Sequence, residues 1–129
     1  MRKMIFLLLT AALLLGGCSM RNMEEKEMYR QITQEEAKKM MDGQDVIIVD
    51  VREQAEYDAG HIAGAVLLPL GTIDEETAAE IIPNKDDTAL VYCRSGRRSK
   101  EAAAMLAELG YTQIFEFGGI ITWPYETER

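Results

Sequence analysis

The chain has 129 residues, enough for one domain built around a single core. Its 14 basic and 22 acidic side chains give a net charge of −8. A surface this acidic lacks the basic footprint that nucleic-acid binding needs, so no nucleic-acid partner is expected.

In chain order, Met1-Arg2-Lys3 is a basic start and residues 4–15 are apolar. That run is shorter than the roughly 20 residues of a transmembrane helix and has the length of a secretory signal's apolar region. It ends Leu15-Gly16-Gly17-Cys18, small residues just before a cysteine. Together these features resemble the bacterial lipoprotein signal, which implies cleavage before Cys18 and lipidation of Cys18. The chain then divides into a signal peptide (1–17), a lipidated cysteine with a polar tether (18–28), and a folded domain (29–129). Losing Arg2 and Lys3 leaves 12 cationic against 22 acidic side chains, a balance of −10. Electrostatic docking on anionic lipid is therefore disfavoured, and membrane contact is expected through the lipid anchor only. The protein is expected to be exported, anchored to the outer face of the bacterial cell membrane or on the periplasmic side of the envelope. With Cys18 acylated, Cys93 is the only free thiol and has no intramolecular disulfide partner.

Residues 29–32 read as a short strand. Thr33, with Glu36 three positions on, fits a capping box and starts a helix to about Met41, followed by a turn over 42–45. The β-branched run 46–50 reads as a central parallel strand buried on both faces. A short helix over 53–59 precedes a strand over 65–68, which Pro69 ends. A helix over 74–82 runs until Pro83. A strand over 88–92, a loop, and a helix from Lys100 to Leu109 stopped by Gly110 come next. Residues 113–117 alternate as a last strand, closed by Gly118-Gly119. Strands and helices in alternation with short connections imply an α/β fold on a parallel sheet.

The loop Cys93-Arg94-Ser95-Gly96-Arg97-Arg98-Ser99 carries the chemistry. A thiol between a strand end and a helix start meets oriented backbone N–H groups and the positive end of a helix dipole. Arg94, Arg97, Arg98 and Lys100 add positive charge. Such surroundings lower a cysteine pKa from about 8.5 into the range of roughly 3.5 to 7.5. The expectation is a nucleophilic cysteine that handles an anionic substrate, with no cofactor and no metal.

Three further pieces stand in order around this loop: Asp50-Val51-Arg52, Gly60-His61-Ile62-Ala63-Gly64-Ala65 and Gly118-Gly119-Ile120-Ile121-Thr122-Trp123. With the cysteine loop they resemble the rhodanese family of sulfurtransferases over residues 32–123. The resemblance implies a mostly parallel central sheet of about five strands with helices on both faces. It implies that Cys93 takes sulfane sulfur from a small anionic donor such as thiosulfate, forming a persulfide. A thiol or protein acceptor then removes the sulfur. The loop residues Arg94, Ser95, Gly96, Arg97, Arg98 and Ser99 would bind substrate, their amides cradling the anion. Asp50 and Arg52 would support the site, as an ion pair fixing the loop after its strand. His61 is expected in a structural turn and Trp123 in packing. A monomer is the default state.

Two other readings compete. One is a membrane-tethered persulfide carrier that relays sulfur without turning over thiosulfate. The other is a phosphatase of the same architecture, whose signature places an arginine six positions after the cysteine. Here that position is Ser99, and Arg98 comes one residue too early.

Overall fold

The apolar runs assemble into a parallel sheet whose strands are spaced by helices. The computed structural model describes residues 28–129. The expected signal peptide, Cys18 and nearly all of the expected tether lie outside the described residues. In order, the elements are β1 (Arg30–Gln31), α1 (Gln34–Gly43), β2 (Ile47–Asp50), α2 (Gln54–Ala59), β3 (His61–Ile62), β4 (Val66–Leu67), α3 (Glu75–Ile81), β5 (Thr88–Cys93), α4 (Arg97–Glu108), β6 (Gln113–Gly119) and β7 (Thr127–Glu128). One-turn 3-10 helices occupy Leu70–Thr72 and Ile120–Thr122. The main sheet has five strands in the order β1-β6-β5-β2-β4, and every pair is parallel. A separate antiparallel pair joins β3 to β7.

Local sequence explains most of the boundaries. Thr33 Oγ1 accepts from Glu36 N–H at 3.0 Å, and Glu36 returns the bond to Thr33 N–H at 2.9 Å. This capping box opens α1, and such a cap contributes about 1 kcal/mol. Asp74 caps α3 in the same way, accepting from Thr77 N–H at 2.8 Å. α1 runs through Gly43, into the turn expected over 42–45. The β3–β7 pair was not foreseen, because two-residue strands carry no readable periodicity.

Period-two alternation splits the core into two layers. On β5, Ala89, Val91 and Cys93 point to the face covered by α3 and α4, where they meet Ala78, Ala102, Ala103 and Leu106. Leu90 and Tyr92 point to the opposite face, with Ala37 of α1, Phe117 and Trp123. Helices thus cover both faces of the sheet, as expected. The two layers sort the polar residues as well.

Asp50 follows the parity of Ile48 and Tyr92. It is fully buried, and its partner Arg52 is 5 % exposed. Arg52 reaches Asp50 through Nε at 3.0 and 3.1 Å and Nη2 at 2.7 Å, and Nη2 also donates to Gly60 O at 2.7 Å. Tyr92 O–H donates to Asp50 Oδ2 and accepts from Ile62 N–H at 3.0 Å. Burial and the bond to Asp50 push the Tyr92 phenol far above its usual range, so it stays a donor. Removing one member of such a cluster leaves a buried charge uncompensated, at a cost of roughly 3–5 kcal/mol. Asp50→Ala is expected to lose about that much stability in urea denaturation; a loss under about 1 kcal/mol would show that Arg52 is satisfied without Asp50.

Candidate active site

Cys93 ends β5 with its sulfur on the α4 face, and the residue is 1 % exposed. From there the chain turns into a helix within three residues. Gly96 makes that turn at φ +113°, a left-handed conformation open to glycine and strained for other residues. α4 begins at Arg97, three residues before the expected start at Lys100. The loop between strand and helix is therefore Arg94-Ser95-Gly96. Arg97, Arg98 and Ser99 form the first helical turn, where backbone N–H groups have no partner within the helix.

Those orphan donors explain the state of the thiol. Gly96 N–H donates to Cys93 Sγ at 3.0 Å, and Ser99 Oγ lies 3.5 Å from the sulfur. Burial pushes the Cys93 pKa up, but the Ser99 hydroxyl and the amides of Ser99, Gly96 and Ser95 outweigh it and bring it below the ordinary thiol value.

The end of β6 forms the floor of the loop. A Cβ on Gly119 would lie 1.9 Å from Arg94 O and 2.5 Å from Ser95 N, so only glycine lets the two backbones approach this closely. Ile121 N–H then donates to Arg94 O at 3.1 Å and pins the turn from below.

The four loop cations separate into two groups. Arg94, Arg97 and Lys100 are exposed, and none pairs with a described carboxylate. Arg98 is half-buried and grips Glu56 of α2 through two bonds, at 2.9 and 3.0 Å. Arg98 in turn pulls the Glu56 carboxyl down to about 2. A lowered folded-state pKa stabilises above the unfolded value of 4.5 and is lost as pH falls toward 2, so this pair is intact at neutral pH.

The supporting residues Asp50 and Arg52 lie on the other face of the sheet from Cys93. They hold the loop after β2 to Gly60 and Tyr92 rather than touching the sulfur. His61 stacks on Tyr57 with ring centroids 3.8 Å apart and meets Tyr57 O and Glu128. Trp123 packs between Phe117 and Tyr125. Trp123 is a packing residue, as expected, whereas His61 lies in β3, just before the turn at 63–64, rather than in a turn itself.

One member of the site escaped sequence reading. Glu116 of β6 is 2 % exposed and shares the inward parity of Ile114, on the face that holds Cys93. It accepts from Ser99 O–H, from Gly118 N–H at 3.0 Å and from Gln31 Nε2 at 3.4 Å. Its signal was available: a carboxylate at an inward position of an alternating strand.

Two outcomes are expected. Alkylation of Cys93 by iodoacetamide should reach half its maximal rate below the ordinary thiol value of about 8.5, because a lowered pKa fills the thiolate at lower pH. A half-maximum at or above that value would contradict the amide cradle. Gly119→Ala should force Arg94 and Ser95 backbone apart, costing about 1–3 kcal/mol in thermal or urea unfolding and slowing that alkylation. Unchanged alkylation in this variant would show that the floor does not shape the loop.

Comparison with known proteins agrees with this geometry. A family model described as Rhodanese-like domain matches residues 33–123. Thiosulfate sulfurtransferase PspE of Escherichia coli (strain K12) is 40 % identical over 72 residues, covering 56 % of this chain and 68 % of that protein. Thiosulfate sulfurtransferase GlpE of Coxiella burnetii is 35 % identical over 97 residues, covering 74 % and 88 %. Among solved structures, a rhodanese with anions from E. coli superposes with a TM-score of 0.61 at 34 % identity, covering 66 % of this chain and 99 % of that one. A family match across nearly the whole described domain, with the cysteine loop at a strand end and its glycine floor, establishes that the chain belongs to the rhodanese-like family.

Proposed function

We propose that this protein transfers sulfane sulfur from a small anionic donor of the thiosulfate type to a thiophilic acceptor through a persulfide on Cys93. The observation that carries this reading is the sulfur itself: a buried thiol below its ordinary pKa, with Gly96 N–H aimed at it from 3.0 Å. The names of two relatives, both thiosulfate sulfurtransferases, support the donor class.

The step balances without an oxidant. The Cys93 thiolate attacks the outer sulfur of thiosulfate, and the S–S bond of the donor breaks with its electron pair leaving on sulfite. The product is Cys93 Sγ–S⁻, whose negative charge falls where the loop amides of Ser95, Gly96 and Ser99 converge. A thiol or cyanide then attacks the terminal sulfur and returns the Cys93 thiolate. Arg94 and Arg97, exposed and unpaired with any described carboxylate, draw the dianion to the rim. Phosphoryl transfer fits less well. Ser99 stands at the position where the clamp arginine is required, and Arg98 is committed to Glu56.

Lipid anchoring through Cys18 belongs to the same proposal, since a basic start, an apolar run and small residues precede that cysteine. It places sulfur transfer outside the cytoplasmic membrane.

Mass spectrometry of the protein after thiosulfate should show one added sulfur, and the thiosulfate:cyanide assay should show turnover. Cys93→Ser is expected to abolish both while leaving the thermal melt near that of the wild type. Retained transfer in that variant would overturn the persulfide reading. An added sulfur without turnover would favour the carrier. Cys18→Ala is expected to move the protein from the membrane fraction to the soluble fraction; unchanged sedimentation with membranes would remove the anchor from the proposal.

A further inference from the structure

Of the four cations around the loop, Arg98 alone is paired with a described carboxylate. It is the second residue of α4, close along the chain to Gly96, whose N–H bonds Cys93 Sγ, and next to Ser99, whose Oγ lies 3.5 Å from the sulfur. Its charge reaches the thiol. Bonds to Glu56 above all, then the charges of Glu56 and of the Cys93 thiolate, hold the guanidinium above its ordinary value against the cost of burial.

Glu56 holds that charge in place. It is the third residue of α2, and its Oε1 accepts Glu53 N–H at 2.9 Å in the turn that opens the helix. Both Nη atoms of Arg98 donate to its two carboxylate oxygens, at 2.9 and 3.0 Å, and both side chains are half-buried. Such a two-bond pair fixes orientation and cancels one positive charge. Arg52, which also acts on Glu56, is bound to Asp50. The Arg98–Glu56 pair therefore brings no net charge beside the sulfur loop, where an unpaired Arg98 would bring a full one.

We propose that Glu56 is a positioning residue that sets the charge preference of the site: by pairing with Arg98 it lowers the advantage of doubly charged sulfur donors over singly charged ones. A dianion gains twice as much from an uncancelled cation as a monoanion in the same place. With Arg98 cancelled, Arg94, Arg97 and Lys100 still attract anions, but the extra preference for a second charge is smaller. The donors that benefit are singly charged sulfane compounds, organic thiosulfonates and persulfides, beside thiosulfate. The inference rests on the sulfur-transfer reading for its donors and on the thiol alone for its field.

The first test reads that field without any sulfur transfer. Iodoacetate and iodoacetamide alkylate the same thiolate and differ by one negative charge. Their rate ratio at Cys93 thus cancels the thiolate fraction and reports the local potential. Rates come from mass spectrometry of the Cys93 peptide after alkylation of the full chain. Glu56→Gln keeps an acceptor for Glu53 N–H and removes the carboxylate charge. It is expected to raise the iodoacetate:iodoacetamide ratio roughly two- to fivefold, the range for one partly exposed charge. Arg98→Met is expected to lower the ratio, and the double variant to return it near the wild type. The reason is that the pair is neutral in one protein and absent in the other. A ratio unchanged or lowered in Glu56→Gln would overturn the proposal, as would a double variant that stays at either extreme. A purely structural Glu56 would shift the melting temperature and change both rates alike, leaving the ratio fixed. If circular dichroism shows that Glu56→Gln does not fold, Arg98→Met decides: a lowered ratio supports the proposal and an unchanged one overturns it.

The second test compares kcat/KM for thiosulfate, a dianion, with that for methanethiosulfonate, a monoanion. Glu56→Gln should raise the preference for thiosulfate by a similar factor, through KM rather than kcat. An unchanged preference in a protein that turns over both would overturn the assignment of donors. If neither donor is turned over while the alkylation ratio responds, the transfer reading falls and the field set by Glu56 stands.

Discussion

The chain must pass from the end of a buried strand to the start of a helix within Arg94, Ser95 and Gly96, and the site depends on that short passage. Gly96 accepts the left-handed turn, and Gly119 allows the floor strand to come into backbone contact with Arg94 and Ser95. These two glycines act from different elements on the same turn. Together they bring the amides of a helix start onto one buried sulfur atom.

The sheet keeps two polar clusters from interfering. Asp50, Arg52 and Tyr92 lie on one face, and Cys93, Ser99 and Glu116 on the other. The first cluster pairs Asp50 with Arg52 beside a protonated Tyr92 and fixes the connection after β2. The second has a carboxylate and an ionisable thiol sharing one serine. At the rim, Glu56 holds Arg98. That pairing leaves Arg94, Arg97 and Lys100 as the exposed cations around the loop on an otherwise acidic chain, a local field suited to small anions.

Much of this was readable in the sequence, for identifiable reasons. Thr33 and Glu36 announced α1 because a cap is a local bond between residues three apart. The β-branched run ending at Asp50 announced a buried strand because both its faces are apolar. Cys93 was legible because glycine and arginines follow a strand-like run so closely. The pattern predicts α4 only from Lys100, three residues late, because Arg97, Arg98 and Ser99 carry no apolar periodicity. The β3–β7 pair was invisible because its partners are distant in sequence and only two residues long.

The sequence by itself determined the α/β order, the cysteine at the strand end, the glycine that turns the loop and the charge around it. All of these follow from neighbours within a few residues, where capping, alternation and backbone freedom operate. Only the tertiary structure decided which cations remain unpaired, that Asp50 and Arg52 sit across the sheet from the sulfur, and that Glu116 meets Cys93 through Ser99. Those contacts join residues far apart in the chain, and their geometry is set by strand order and by parity across β5 and β6. Alternation states that a side chain points inward; the packed neighbour strand and helix decide what it meets there.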